Sequence, residues 1–118
     1  MPKYKANFSQ KDERIAQVLA ALAHPCRVAI VKRLSGNYYR RNVKDSGEVR
    51  PTIAELGKGL EISAPTLTHH IKELKKAGII QTIRAGQYQE VELHTEVLAE
   101  VMMFMLTLGS PISTGTNE

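Results

Sequence analysis

Between positions 63 and 72 the chain sets out Ser63, Thr66, Thr68, His69 and Lys72, groups that can together bond the edges of bases and neutralise phosphates. Thr hydroxyls and imidazole nitrogens donate and accept, Thr methyls match thymine methyls, and Lys72, Lys75 and Lys76 supply positive charge. Such chemistry needs a rigid element that turns one face outward, and the same residues encode it. Ser63 is an N-cap type, and Pro65 falls in the first turn, where an amide donor has no partner to lose. Leu67, Ile71 and Leu74 recur at helical spacing as a buried stripe, and Gly78 supplies the left-handed residue that stops the helix. Thr66, Thr68, His69 and Lys72 are left on or near the accessible side. The short polar groups lie toward the N-terminus, the end that usually enters a major groove.

The preceding segment supplies the support. Thr52 caps a shorter helix through Ile53, Ala54, Leu56 and Leu60, and Glu61 to Ser63 make a tight turn into the second, so residues 52–78 read as a helix-turn-helix. Beyond Gly78 the period changes to two. Residues 79–84 and Tyr88–Leu93 are β-prone runs around Ala85, Gly86 and Gln87, a hairpin with glycine at its turn, hence a wing. Upstream, Ser9 caps a helix with Ile15, Val18, Leu19 and Leu22 at helical spacing. A second helix, Pro25–Leu34, carries Val28, Ile30, Val31 and Leu34 as its apolar set and ends at Gly36. Residues 37–51 form a polar connection starting with Tyr38, Tyr39, Arg40 and Arg41; it reads as a loose hairpin or arm, with residues 48–50 available as a short strand. Thr95 caps a last helix over residues 96–108 with a wide apolar face of Val97, Leu98, Val101, Met102, Met105 and Leu106.

At 118 residues the chain has room for one domain and little for an added catalytic unit. The expected organisation is a flexible N-terminus over residues 1–8, one winged helix-turn-helix domain over residues 9–108 and a disordered tail over residues 109–118. A net charge of +4 favours a polyanionic partner. Its distribution says more: residues 27–50 hold seven Lys or Arg against two acids. The single cysteine, Cys26, excludes a disulfide framework and points to a reducing, cytoplasmic setting. The longest apolar run, residues 101–108, is too short to span a bilayer, so no membrane partner is expected. No nucleophile and base pair or phosphate-binding glycine loop argues for an enzyme.

The segments LAHPCRVAIVKRL and IAELGKGLEISAPTLTHHIKELKKAGII, with the hairpin as far as Val91, Glu92 and Leu93, resemble the ArsR/SmtB family of winged helix-turn-helix repressors over most of the chain. The His-His pair after Thr68, followed by Ile71, Leu74, Ala77 and Gly78, is the most specific part of this resemblance. It implies a mainly α fold with a small β-hairpin, ordered α1-α2-α3-α4-β-β-α5, that dimerises through its terminal helices, binds an inverted-repeat operator in double-stranded DNA and releases it on an effector signal. The positions similar to the family's DNA contacts are Ala64, Pro65, Thr66, Thr68 and His69, with Ser63 at their head. Ala64 and Pro65 replace polar types common there, which shifts base reading toward Thr66, Thr68 and His69. Arg84, Gln87 and Tyr88 at the wing tip are candidates for phosphate or minor-groove contacts. His70, about 100° further round the helix, is expected to pack inward.

Metal-sensing sets of the kind the family uses are incomplete. Residues 55–59 (Glu, Leu, Gly, Lys, Gly) stand where paired thiolates would lie, and Met102, Met103, Phe104 and Met105 stand where the last helix would complete a set begun by Glu92 and His94. Neither a metal nor a cofactor is therefore expected. Cys26 has two readings: a small side chain filling the first turn of its helix, or a redox-responsive thiol beside His24 and Arg27. The functional expectation is a homodimeric, sequence-specific transcription regulator, a repressor answering to an unidentified effector. The alternative is a winged-helix interaction module that binds protein or RNA without operator specificity.

Overall fold

Side-chain caps set the helix starts in this structure, a computed structural model that describes residues 7–35 and 50–109. Ser9 and Asp12 form a reciprocal capping box that opens α1 (Gln10–Leu22). His24 opens α2 (Pro25–Leu34) by accepting from the Cys26 N–H through Nδ1 at 3.1 Å, with Pro25 in the first turn. Thr52 and Glu55 form a second capping box for α3 (Ile53–Gly57), and Ser63 caps α4 (Ala64–Lys76) by accepting from the Thr66 N–H at 3.3 Å. Each cap satisfies an amide that the first turn leaves unpaired, a contribution of about 1 kcal/mol. After α4 come β1 (Ile80–Ala85), β2 (Tyr88–Leu93) and α5 (Thr95–Gly109). Among the described residues this is the expected α1-α2-α3-α4-β-β-α5 order.

The end of α4 follows the glycine argument closely. Gly78 sits at φ +77°, its N–H reaches the Lys75 carbonyl at 3.0 Å, and the Ile79 N–H reaches the Leu74 carbonyl at 3.1 Å. These are the two bonds of a Schellman motif. Its apolar contact is supplied by Leu74 and Ile79, both fully buried. The hairpin pairs Ile80 with Leu93 through Ala85 with Tyr88, leaving Gly86 and Gln87 as a two-residue turn. Gly86 has φ +66° and Gln87 is not among the positive-φ residues, the type II′ pattern that matches strand twist.

Some boundaries differ from expectation. The first helix of the helix-turn-helix stops at Gly57 rather than running to Leu60. Lys58 is extended and Gly59 takes φ +80°, because a Gly-Lys-Gly run has little helix propensity to oppose a turn. Arg33 takes over the carbonyls exposed there, its Nη1 donating to Leu56 O at 2.8 Å and Lys58 O at 2.7 Å. Gly57 is also needed for space: an added Cβ would lie 2.5 Å from Leu67 Cδ2 on α4. Thr95 belongs to α5 instead of capping it, since the Val97 N–H closes on the His94 carbonyl. Val28, expected on the apolar face of α2, is instead exposed. The sheet bridge upstream falls at Thr52, opposite Glu90, with the Val91 N–H donating to Pro51 O at 2.8 Å. Residues 36–49, including Arg40, Arg41 and most of the polar connection, lie outside the described residues, as do 1–6 and 110–118.

The core gathers Val18 from α1, Ile30 from α2, Leu56 from α3, Leu74 from α4, Ile79 and Val91. Each fully buried aliphatic side chain contributes roughly 1.5–3 kcal/mol. Ile15, Val18 and Val101 are buried within the single chain, so part of the two terminal stripes serves the monomer core instead of an interface. The distal half of α5 does not: Met102, Met103, Met105, Leu106 and Leu108 are all more than half exposed.

Candidate nucleic-acid interface

Two stripes of equal period divide α4. Leu67, His70, Ile71 and Leu74 face the core, while Pro65, Thr68, His69 and Lys72, at the same i, i+3, i+4, i+7 spacing, are exposed. Ser63, Ala64 and Thr66 are exposed at the N-terminal end of the same helix. At the hairpin, Arg84, Gln87 and Tyr88 are exposed as well, so all ten residues singled out from the sequence reach solvent.

Their present partners differ. The Ser63 hydroxyl donates to Thr66 Oγ1 at 3.0 Å and accepts from the Thr66 N–H, so this pair is occupied in holding the helix start. Thr68, His69 and Lys72 lie one turn further along, on the outward stripe. At the far end Lys75 and Lys76 keep the positive field, Lys76 pairing loosely with Glu73 at 3.6 Å. Exposed pairs of this kind contribute little to stability, so that charge stays available to a phosphate.

The helix is aimed by contacts that the sequence left unassigned. Arg33 pins the end of α3, and Gly57 lets α3 approach Leu67. Arg27 donates from Nε to His70 Nδ1 at 2.9 Å and from Nη1 to the Ala21 carbonyl at 3.2 Å. Arg50 leans toward the wing, 3.7 Å from Glu90 and 3.9 Å from Glu92. Of the described members of the basic run, Arg27, Arg33 and Arg50 therefore have intramolecular partners, and Lys32 is exposed. The signal for Arg27 and His70 was present: a polar residue on a buried stripe demands a partner.

Cys26 is half-buried against the core at the first turn of α2, and Arg27 beside it turns toward α4. Glu92 accepts from Gln81 Nε2 at 2.7 Å. Among the described residues no group of three or more His, Cys, Asp or Glu is placed to hold a metal ion, and no single helix is long and apolar enough to cross a membrane.

On the other side, α1 and α5 pack together through a bidentate Arg14–Glu100 pair, at 3.0 and 3.3 Å. Next to it opens a groove of about 440 Å³ lined by Phe8, Ile15, Ala16, Leu19 and Phe104, with Asp12 and Glu13 at its edge. It lies close to the exposed apolar half of α5. Thr107 fits that apolar face because its hydroxyl donates back to the Met103 carbonyl at 2.8 Å.

Residues 22–83 match a helix-turn-helix domain family. The chain is similar to the transcriptional repressor SdpR of Bacillus subtilis, 30% identical over 101 residues that span 86% of this chain and 96% of that protein. An HTH-type transcriptional regulator of Methanocaldococcus jannaschii is 34% identical over 79 residues, 67% of this chain and 76% of its own length. Among solved structures, an ArsR family transcriptional regulator superposes with a TM-score of 0.67 at 25% identity, covering 86% of this chain and 92% of that one.

Proposed function

Since this chain belongs to the ArsR family of winged helix-turn-helix transcriptional regulators and is thereby a DNA-binding regulator of transcription, we propose that it is a homodimeric repressor that reads an inverted-repeat operator with α4. The observation that carries this reading is the outward stripe Pro65, Thr68, His69 and Lys72, set opposite an equally regular buried stripe. Thr68 and His69 read base edges in the major groove. Ser63, Ala64, Pro65 and Thr66 bring the helix N-terminus against the backbone, and Lys72 holds a phosphate. Arg84, Gln87 and Tyr88 carry the wing to the neighbouring phosphates or minor groove.

Dimerisation through α1 and α5 is supported by the exposed Met102, Met103, Met105, Leu106 and Leu108 on the helix that also lines an apolar groove, the kind of surface that marks a protein–protein interface. A twofold axis presents α4 twice, so the half-sites lie about one helical turn apart, roughly 34–36 Å. The regulator works in the cytoplasm, without catalysis, and lets go of the operator on an effector signal. The Cys26 thiol is where such a signal would act as a covalent thiol oxidation.

The test is a mobility-shift titration on the DNA upstream of the protein's own gene in excess competitor. Retention of one fragment supports the reading. Binding of equal strength to any nucleic acid, or binding to RNA or protein instead, would replace it with a non-specific interaction module.

A further inference from the structure

His70 is the buried polar side chain among the described core residues, 5% exposed at the middle of α4. Its Nδ1 accepts from Arg27 Nε at 2.9 Å, so the ring is neutral and its proton sits on Nε2. The same guanidinium donates to Ala21 O, a carbonyl that the end of α1 leaves without a helical partner. One side chain on α2 thus joins α1 and α4. The His24 ring, at the start of α2, lies 4.5 Å from the His70 ring between centroids, and that of His69 lies 5.8 Å away. Burial first, then His24, Arg27 and His69, holds the His70 pKa below its ordinary 6.5. The titratable and charged groups acting on it are His24 and Arg27 from α2 and His69 from its own helix, all of them bases.

We propose that Arg27 and His70 form a proton-sensitive latch, in which Arg27 positions the recognition helix through the neutral His70 ring and protonation of that ring releases it. A proton arriving at Nδ1 converts the acceptor into a donor that faces the Arg27 Nε–H. The hydrogen bond breaks, and two cations are left side by side in a poorly solvated place. Thr68 and His69 directly precede His70 in the helix, so the loss of its tie to α2 disturbs the residues that read bases. This rests on the reading of α4 as the operator-binding helix, and it makes a prediction of unusual sign. Protonation ordinarily strengthens the affinity of a basic face for DNA of any sequence as pH falls, because added positive charge releases more counterions. The latch makes preference for one sequence weaken over the same range.

The experiment uses the full chain and a duplex selected from a random-sequence pool, titrated by fluorescence anisotropy between about pH 8 and pH 5 beside a scrambled duplex. In parallel, the His ring nitrogens are followed by NMR without DNA. The wild type is expected to lose preference for the selected duplex by about tenfold for each pH unit below the His70 pKa, per protomer. His70→Asn keeps an acceptor at the δ position and cannot titrate, so it should remain folded and lose the share of the pH dependence that His70 contributes. Arg27→Gln should bring the His70 titration upward by removing an adjacent cation. Equal pH profiles for wild type and His70→Asn, or a His70 Nδ1 signal indifferent to Arg27→Gln, would overturn the latch. If no duplex is preferred at about pH 8, the operator reading fails, and the ring titration decides the latch by itself.

Discussion

Leu106→Glu separates assembly from folding. Leu106 is 60% exposed in the single chain, whereas Val101, on the same helix, is 7% exposed and belongs to the core. A carboxylate at position 106 therefore leaves the monomer intact, while one at position 101 damages the fold itself. Full burial of a leucine side chain contributes about 1.5–3 kcal/mol, and the exposed share of Leu106 is then roughly 1–2 kcal/mol. A twofold interface counts the substitution in both protomers, which doubles the loss to roughly 2–4 kcal/mol before any penalty for burying an unpaired carboxylate. The dimer dissociation constant should rise by at least about thirtyfold. Sedimentation equilibrium at micromolar concentration reads the association, and far-UV circular dichroism with thermal melting reads the fold. The expected outcome is a dimeric wild type and a folded, monomeric Leu106→Glu. A wild type that sediments as a monomer, or a Leu106→Glu that stays dimeric, would refute the seam.

Arg33→Ala removes both hydrogen bonds that cap α3 and should destabilise the domain by about 2 kcal/mol, or roughly 8–16 °C in Tm, with Arg33→Lys recovering only part because an ammonium is a strongly hydrated charge on a flexible stem and is less pre-organised for the two carbonyls. Thermal melts of the three proteins check this. Stability should also fall on acidification through His70. Its folded pKa is below the ordinary 6.5, so between those two values the unfolded chain binds the proton more readily than the folded one. The contribution is whole above about pH 6.5 and is lost as the pH drops from there toward the folded pKa. Urea unfolding midpoints at several pH values, compared with His70→Asn, should show that step in the wild type alone, and an identical dependence in both would reject it.

The architecture was legible because local signals agreed with one another. Ser9, Thr52 and Ser63 are caps that declare themselves, Gly78 and Gly86 mark a helix end and a hairpin turn, and the change from period three or four to period two locates the wing. Leu67, Ile71 and Leu74 gave the buried face of α4 directly. Less legible was anything decided across the chain. The Gly-Lys-Gly run lets α3 end at Gly57, but the donor that satisfies the carbonyls left there is Arg33, more than twenty residues upstream, and no window of local sequence contains both. The basic run looked like a phosphate-binding surface, since charge is visible in a sequence and the partner that occupies it is not; Arg27, Arg33 and Arg50 turn inward to His70, to backbone carbonyls and to the wing glutamates. His70 was readable as a packed residue. That it holds an arginine from α2 required three helices to be placed first.

The central claim is that α4 reads sequence through Thr68 and His69 and holds backbone through Lys72 and, on the wing, Arg84. One set of titrations tests it most directly: wild type and the four single alanine variants against selected and scrambled duplexes at several salt concentrations. Thr68→Ala and His69→Ala should lose about 1–3 kcal/mol on the selected duplex for each base they read directly, little on the scrambled one, and leave the salt slope intact. Lys72→Ala and Arg84→Ala should weaken both duplexes alike and lower the slope by about one for each phosphate no longer neutralised. Equal losses on the two duplexes for Thr68→Ala and His69→Ala would contradict the account.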